Sequence, residues 1–133
     1  MAGRLAGVLA ELQARAEELV REDLDAAGTD SGEELEKDEV KALVSSRYRE
    51  FRSDFCVTLS GWFRDVAATC AAGASAPLVN AEWAETVRAR AARLSRAQAF
   101  RNVDAADDLA RSFERNVQDA AALGRFADRI TLR

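Results

Sequence analysis

The stretch VKALVSSRYREFRSDFCVTLSGWFRDVAATC, residues 40–70, decides the fold. Val40, Val44, Tyr48, Phe51, Phe55, Leu59, Trp62, Val66 and Cys70 recur at three and four residues, which sets them on one face of a helix of about eight turns. Gly61 falls inside the run, at a cost of up to about 1 kcal/mol against Ala, and reads as a bend or a close helix contact. The run closes on Trp62-Phe63-Arg64-Asp65, the most informative four residues of the chain. Gly73 through Pro77 then stops it, Gly at the cap and Pro just beyond.

Working outward, Leu5, Val8, Leu9, Leu12, Ala16, Leu19 and Val20 mark one face of a first helix, ending near Ala26 or Ala27 with Gly28 as a left-handed stop. Asp30, Ser31 and Gly32 form a turn, and Ser31 with Glu34 a capping box for the long helix. On the other side, Asn80 is placed to cap a third helix carrying Trp83, Val87 and Leu94, with Glu82 and Glu85 in its first turn. Ser95 and Gln98 form a capping box for a fourth helix carrying Ala99, Val103, Ala106, Leu109 and Phe113. Asn116 caps a last helix with Ala120, Leu123, Phe126, Ala127 and Ile130. The expected fold is all-α, a single domain over residues 1–133, with about five helices and antiparallel neighbours.

Composition agrees with an ordinary globular protein: 133 residues, 48% hydrophobic and 32% charged. Of 19 basic residues only Lys37 and Lys41 are Lys, which reads as GC-rich coding more than as a nucleic-acid surface. The net charge of -4 hides an asymmetry: residues 1–39 carry 12 acidic and 4 basic side chains, residues 40–133 carry 11 acidic and 15 basic. An acidic segment beside a basic body repels free phosphate backbone and suits protein contacts; a solvated charged linker is an equal alternative. No apolar run approaches the roughly 20 residues needed to cross a bilayer, and no signal-peptide core opens the chain, so a cytoplasmic protein is expected. Cys56 and Cys70, fourteen residues apart in one helix, lie about 21 Å apart along its axis. They read as core or near-core thiols in a reducing compartment.

Chemistry is sparse. The chain has no His, the commonest general base and metal ligand, and neither a phosphate loop nor a G-x-S-x-G elbow. The Asp104, Asp107, Asp108 cluster reads as a solvated helix face, since its spacing lacks the geometry of a catalytic pair. No catalytic, cofactor-binding or metal site is expected, and no nucleotide hydrolysis. Arg88, Arg90, Arg93, Arg96 and Arg101 concentrate positive charge on the third and fourth helices, but over several faces and without interleaved aromatics. They are the basis of an alternative reading, a free-standing helical nucleic-acid-binding protein.

The order of these features resembles a known family. A long helix ending in Trp62-Phe63-Arg64-Asp65, a Gly-containing loop, Leu78-Val79-Asn80, an Arg/Ala-rich helix, Leu94-Ser95 and a helix ending Glu114-Arg115-Asn116 is similar to the C-terminal collar domain of bacterial DNA polymerase III clamp-loader subunits. The delta-prime subunit is the nearer likeness, gamma/tau the next, and the resemblance runs from about Leu5 to Ile130. Ala121 and Gly124 depart from it, standing where the family carries Leu and Glu, so weaker packing of the last helix is expected. The resemblance implies a fragment of a longer AAA+ subunit whose collar domain packs with those of the delta and gamma/tau subunits. Its motif and packing residues are Trp62, Phe63, Arg64, Asp65, Asn80 and Asn116, and it implies that DNA is met weakly or indirectly. The parent would belong to a DNA-directed DNA polymerase holoenzyme, with ATP binding and most DNA contacts in other modules.

Overall fold

A computed structural model describes residues 1–28 and 36–133. Among these residues the chain forms five α-helices: α1 (Ala2–Ala27), α2 (Lys37–Ala72), α3 (Ala84–Ala91), α4 (Arg96–Glu114) and α5 (Asp119–Arg129). No helix of the described residues is long and apolar enough to cross a membrane. The all-α architecture follows from the 3.6-residue periodicity, but several helix ends are set by residues other than those the sequence suggested.

The capping box expected from Ser31 and Glu34 lies outside the described residues. Within them, α2 opens where the Glu39 carboxylate accepts the Glu36 N–H at 2.9 Å, and Asp38 and Glu39 supply negative charge to the first turn. Gly28 is not left-handed: its N–H still reaches the Leu24 carbonyl at 2.8 Å, so it continues the helical pattern. Gly73, at the end of α2, does take the left-handed conformation, with φ of 74°. That conformation turns the chain out of the helix where an L side chain would be strained.

The Ser95 capping box forms as expected. Its hydroxyl accepts the Gln98 N–H at 3.2 Å, and the Gln98 side chain accepts the Ser95 N–H at 2.9 Å. Two orphan donors at the start of α4 are thereby satisfied. At the other end of α4, Asn116 does not cap α5. It adopts φ of 55° immediately after α4. The Val117 N–H bonds the Ser112 carbonyl at 3.0 Å and the Asn116 N–H bonds that of Phe113 at 3.1 Å. This paired 6→1 and 5→2 pattern is a Schellman stop, in which Asn replaces the usual Gly because it tolerates the left-handed region. α5 begins three residues later, with Gln118 as an N-cap that makes no side-chain bond.

The described residues form two compact units, Gly3–Asp54 and Phe55–Arg133 together with Met1 and Ala2, the boundary falling inside α2. In the first, Leu9, Ala16 and Val20 are buried. Val8, counted with them in the sequence, is exposed; it sits one residue off their line, about 100° round the helix. Val40, Val44, Tyr48 and Phe51 are only half-buried, as expected where two helices enclose little interior. Arg47 reaches Asp23 at 3.5 Å and Glu50 at 3.4 Å, exposed pairs that contribute little.

The second unit holds the larger core. Val66, Ala67, Val87 and Ala99 form its centre, with Trp62, Cys70, Leu78 and Leu94 packed against it. Phe63 is the deeply buried aromatic, 3% exposed, set edge-on to Trp62 at 5.1 Å and to Phe126 at 6.0 Å. Trp62, on the helical face marked out by the apolar spacing, is partly buried and packs against this core. The Phe63, Val66, Ala67 line faces α5 and the core centre, and Trp62 flanks it. Leu94 follows α3 rather than lying in it, and Ala120 is exposed, whereas Ala122, Leu123 and Phe126 bury the inner face of α5. Ala121 is exposed, and a Cβ at Gly124 would meet nothing within 4 Å. The two departures from the family pattern therefore do not loosen the packed face of α5.

Candidate functional site

Asp65 is the centre of the best-built polar site. It sits on the core-facing side of α2, 2% exposed. Its carboxylate accepts the Val79 N–H at 2.8 Å, the Asn80 N–H at 2.9 Å and the Asn80 side-chain amide at 2.9 Å. Burial pushes its pKa up, but the three donors outweigh burial and hold it below the ordinary carboxylate value. Asn80 is consequently no helix cap: its amide is spent on Asp65, and α3 begins after a 3₁₀ turn (Ala81–Trp83) with no side-chain cap. Gly61, one turn before Asp65, makes the approach close, since a Cβ there would lie 3.3 Å from the Asn80 Nδ2. The close approach at Gly61 is with this loop and not with a neighbouring helix, as the sequence had suggested.

The six motif residues divide into separate jobs. Asp65 and Asn80 form the clasp, and Phe63 and Trp62 pack the core. Exposed Arg64 donates to both oxygens of Asp107, at 3.2 and 3.3 Å, beside a bond from Ser60 Oγ at 3.3 Å. Asn116 ends α4, away from the clasp in sequence and in role. The structure does not gather them into one reactive centre.

The other sequence candidates also resolve. Arg90 donates to the Leu132 carbonyl, and Arg96 to that of Ala71 at 2.8 Å. Two of the five arginines proposed for nucleic acid thus fasten backbone. Cys56 is buried and Cys70 half-buried, and neither is joined in a disulfide. Burial pushes the Cys70 thiol up against the opposing pull of Arg96. The Asp104, Asp107, Asp108 cluster is more than a solvated face, because Asp107 takes Arg64 while Asp108 takes Arg129 and Arg111. Hydrogen bonds from Arg129 and Arg111 hold Asp108 below the ordinary carboxylate range. Among the described residues, no three His, Cys, Asp or Glu side chains converge as a metal site.

Two features escaped the sequence reading. Asn102 is fully buried; its amide donates to the Thr131 carbonyl at 2.6 Å and its oxygen accepts the Thr131 N–H at 2.8 Å. The signal was a polar residue on the Ala99–Ala106 face of α4. The second is a cleft of about 280 Å³ between α4 and α5, rimmed by Arg111, Arg115, Arg125 and Arg129. Its signal was two like-charged pairs at i, i+4, one on each helix, a spacing that is mildly destabilising by itself.

Comparison of the chain with family models, with curated proteins and with solved structures gives no significant match.

Proposed function

We propose that this chain is an assembly module, the collar domain of a bacterial DNA polymerase III clamp-loader subunit of delta-prime type, with gamma/tau as the next nearest. In this reading it works in the cytoplasm, packing with the collar domains of the delta and gamma/tau subunits so that the sliding clamp can be loaded. The observation that supports it most is the Asp65 clasp. The two motifs on which the resemblance rests, Trp62-Phe63-Arg64-Asp65 and Leu78-Val79-Asn80, meet through three hydrogen bonds of 2.8 to 2.9 Å. Residues matched as an ordered pattern are thus structural partners, as a shared fold would require. The proposed work is burial of apolar helix surface between subunits, which salt screens little.

The test is association. The chain is mixed at micromolar concentration with delta and gamma/tau subunits from a GC-rich bacterium and passed over a sizing column at physiological salt. Co-elution in a defined complex is expected. Absence of association, together with duplex or single-stranded DNA binding that survives physiological salt, would overturn this reading in favour of the nucleic-acid alternative.

A further inference from the structure

The α4–α5 cleft has a chemistry that the assembly reading does not use. Arg111 and Arg115 lie one turn apart at the end of α4, and Arg125 and Arg129 one turn apart on α5. All four line the same cleft, with Asp108 as the only carboxylate among its lining residues. Asp108 bonds Arg111 and Arg129 at once and so fixes two of the guanidiniums at the rim. Arg115 and Arg125 are exposed, and among the described residues no carboxylate pairs with either. Between the charges the floor carries half-buried Val117, with Leu109 and Phe126, 2% and 3% exposed, closing the core beneath it. The left-handed turn at Asn116 brings Val117 to this floor and leaves Arg115 at the rim.

We propose that this cleft is a docking site for a short acidic peptide segment of a partner protein, one that presents an apolar side chain flanked by carboxylates. Two fixed and two unpaired guanidiniums supply planar forks that match carboxylates. Val117 gives the flanked side chain an apolar contact at the cleft floor, and a volume of about 280 Å³ holds an anchor of one or two residues. A polynucleotide fits less well. Asp104, Asp107 and Glu114 lie on α4 beside the arginines, so a phosphate chain running past the cleft would meet like charge, whereas a short peptide need not extend so far. The site stands whether or not the chain is a clamp-loader module, since it rests on the cleft alone.

The test uses the full chain and a fluorescein-labelled peptide, Asp-Glu-Leu-Glu-Asp, followed by anisotropy at low and physiological salt. The comparison peptide carries Ser in place of Leu, and a labelled thymidine 15-mer tests nucleic acid. The variant is Arg115→Gln/Arg125→Gln, two exposed side chains whose loss leaves the Asp108 bonds in place; its melting curve establishes that it folds. Binding of the Leu peptide weakened about tenfold in the variant is expected, from the loss of charged hydrogen bonds at an exposed rim. Several-fold weaker binding of the Ser peptide is expected as well. No binding of the Leu peptide to the parent chain, equal binding by parent and folded variant, or equal binding of the Leu and Ser peptides would overturn the proposal. So would tighter binding of the 15-mer that is lost in the same variant, which would assign the cleft to nucleic acid.

Discussion

Asp65 and Asn80 are joined twice through a single oxygen: Oδ2 of the carboxylate accepts both the Asn80 backbone N–H and its side-chain amide, each at 2.9 Å. The other oxygen takes the Val79 N–H at 2.8 Å. One buried charge therefore holds the loop between α2 and α3 against the core. Replacing Asp65 with Ala leaves three donors without that partner. We expect a loss of about 3 kcal/mol in urea unfolding, the range for hydrogen bonds to a charged group; a loss under 1 kcal/mol would show that the loop holds without the clasp.

The same carboxylate gives stability a pH dependence of known sign. Its folded pKa lies below the unfolded one, so its contribution is complete above about pH 4, near the unfolded value. It is lost as pH falls from there through the lowered folded value. Acid titration of unfolding free energy is expected to fall more steeply for the parent than for Asp65→Asn below that pH. Parallel acid limbs would contradict it.

Burial separates the two neighbouring aromatics. Phe63→Ala removes a ring that is 3% exposed and edge-on to both Trp62 and Phe126, and should cost about 3–5 kcal/mol. Trp62→Ala, at a partly buried site, should cost less, because the indole already keeps part of its surface in water and leaves a less enclosed cavity. Paired chemical denaturation curves decide the order; Trp62 as the costlier loss would reverse it.

Asn116 tests the helix stop. Asn116→Gly should be neutral or slightly stabilising, since Gly has no Cβ to crowd the following carbonyl, whereas Asn116→Ala should cost about 1 kcal/mol, since Ala keeps that Cβ but lacks the short polar side chain that eases the left-handed region for Asn. Thermal melts of the two variants measure this. Equal midpoints would show that strain at φ of 55° is not what Asn relieves.

How far the fold was legible depends on the kind of signal. Apolar spacing found the five α-helices of the described residues, because burial of one face is written directly into period. The capping box of Ser95 and Gln98 was readable because both partners lie within four residues. Asn80 and Asn116 misled for a common reason: Asn suits N-caps, left-handed stops and tertiary clasps alike, and only the folded chain selects among them. Asp65 was visible as a motif member, but its partners lie fourteen and fifteen residues ahead. The cleft needed two helices to be brought side by side before its four arginines became one surface.

Asp65 and Asn102 share a habit with a consequence for which substitutions the chain can absorb. Both grip main-chain atoms: Asp65 holds the N–H of Val79, and Asn102 holds the N–H and carbonyl of Thr131. The side chain of Val79 is 82% exposed and takes no part in the grip. Position 79 is therefore fixed in space yet indifferent to identity, open to nearly any residue that keeps an amide hydrogen, whereas Thr131 is held in the same way but is partly buried. Proline, which lacks one, is the exception at both. Anyone redesigning the surface here has freedom at position 79 and none at the two residues that do the holding.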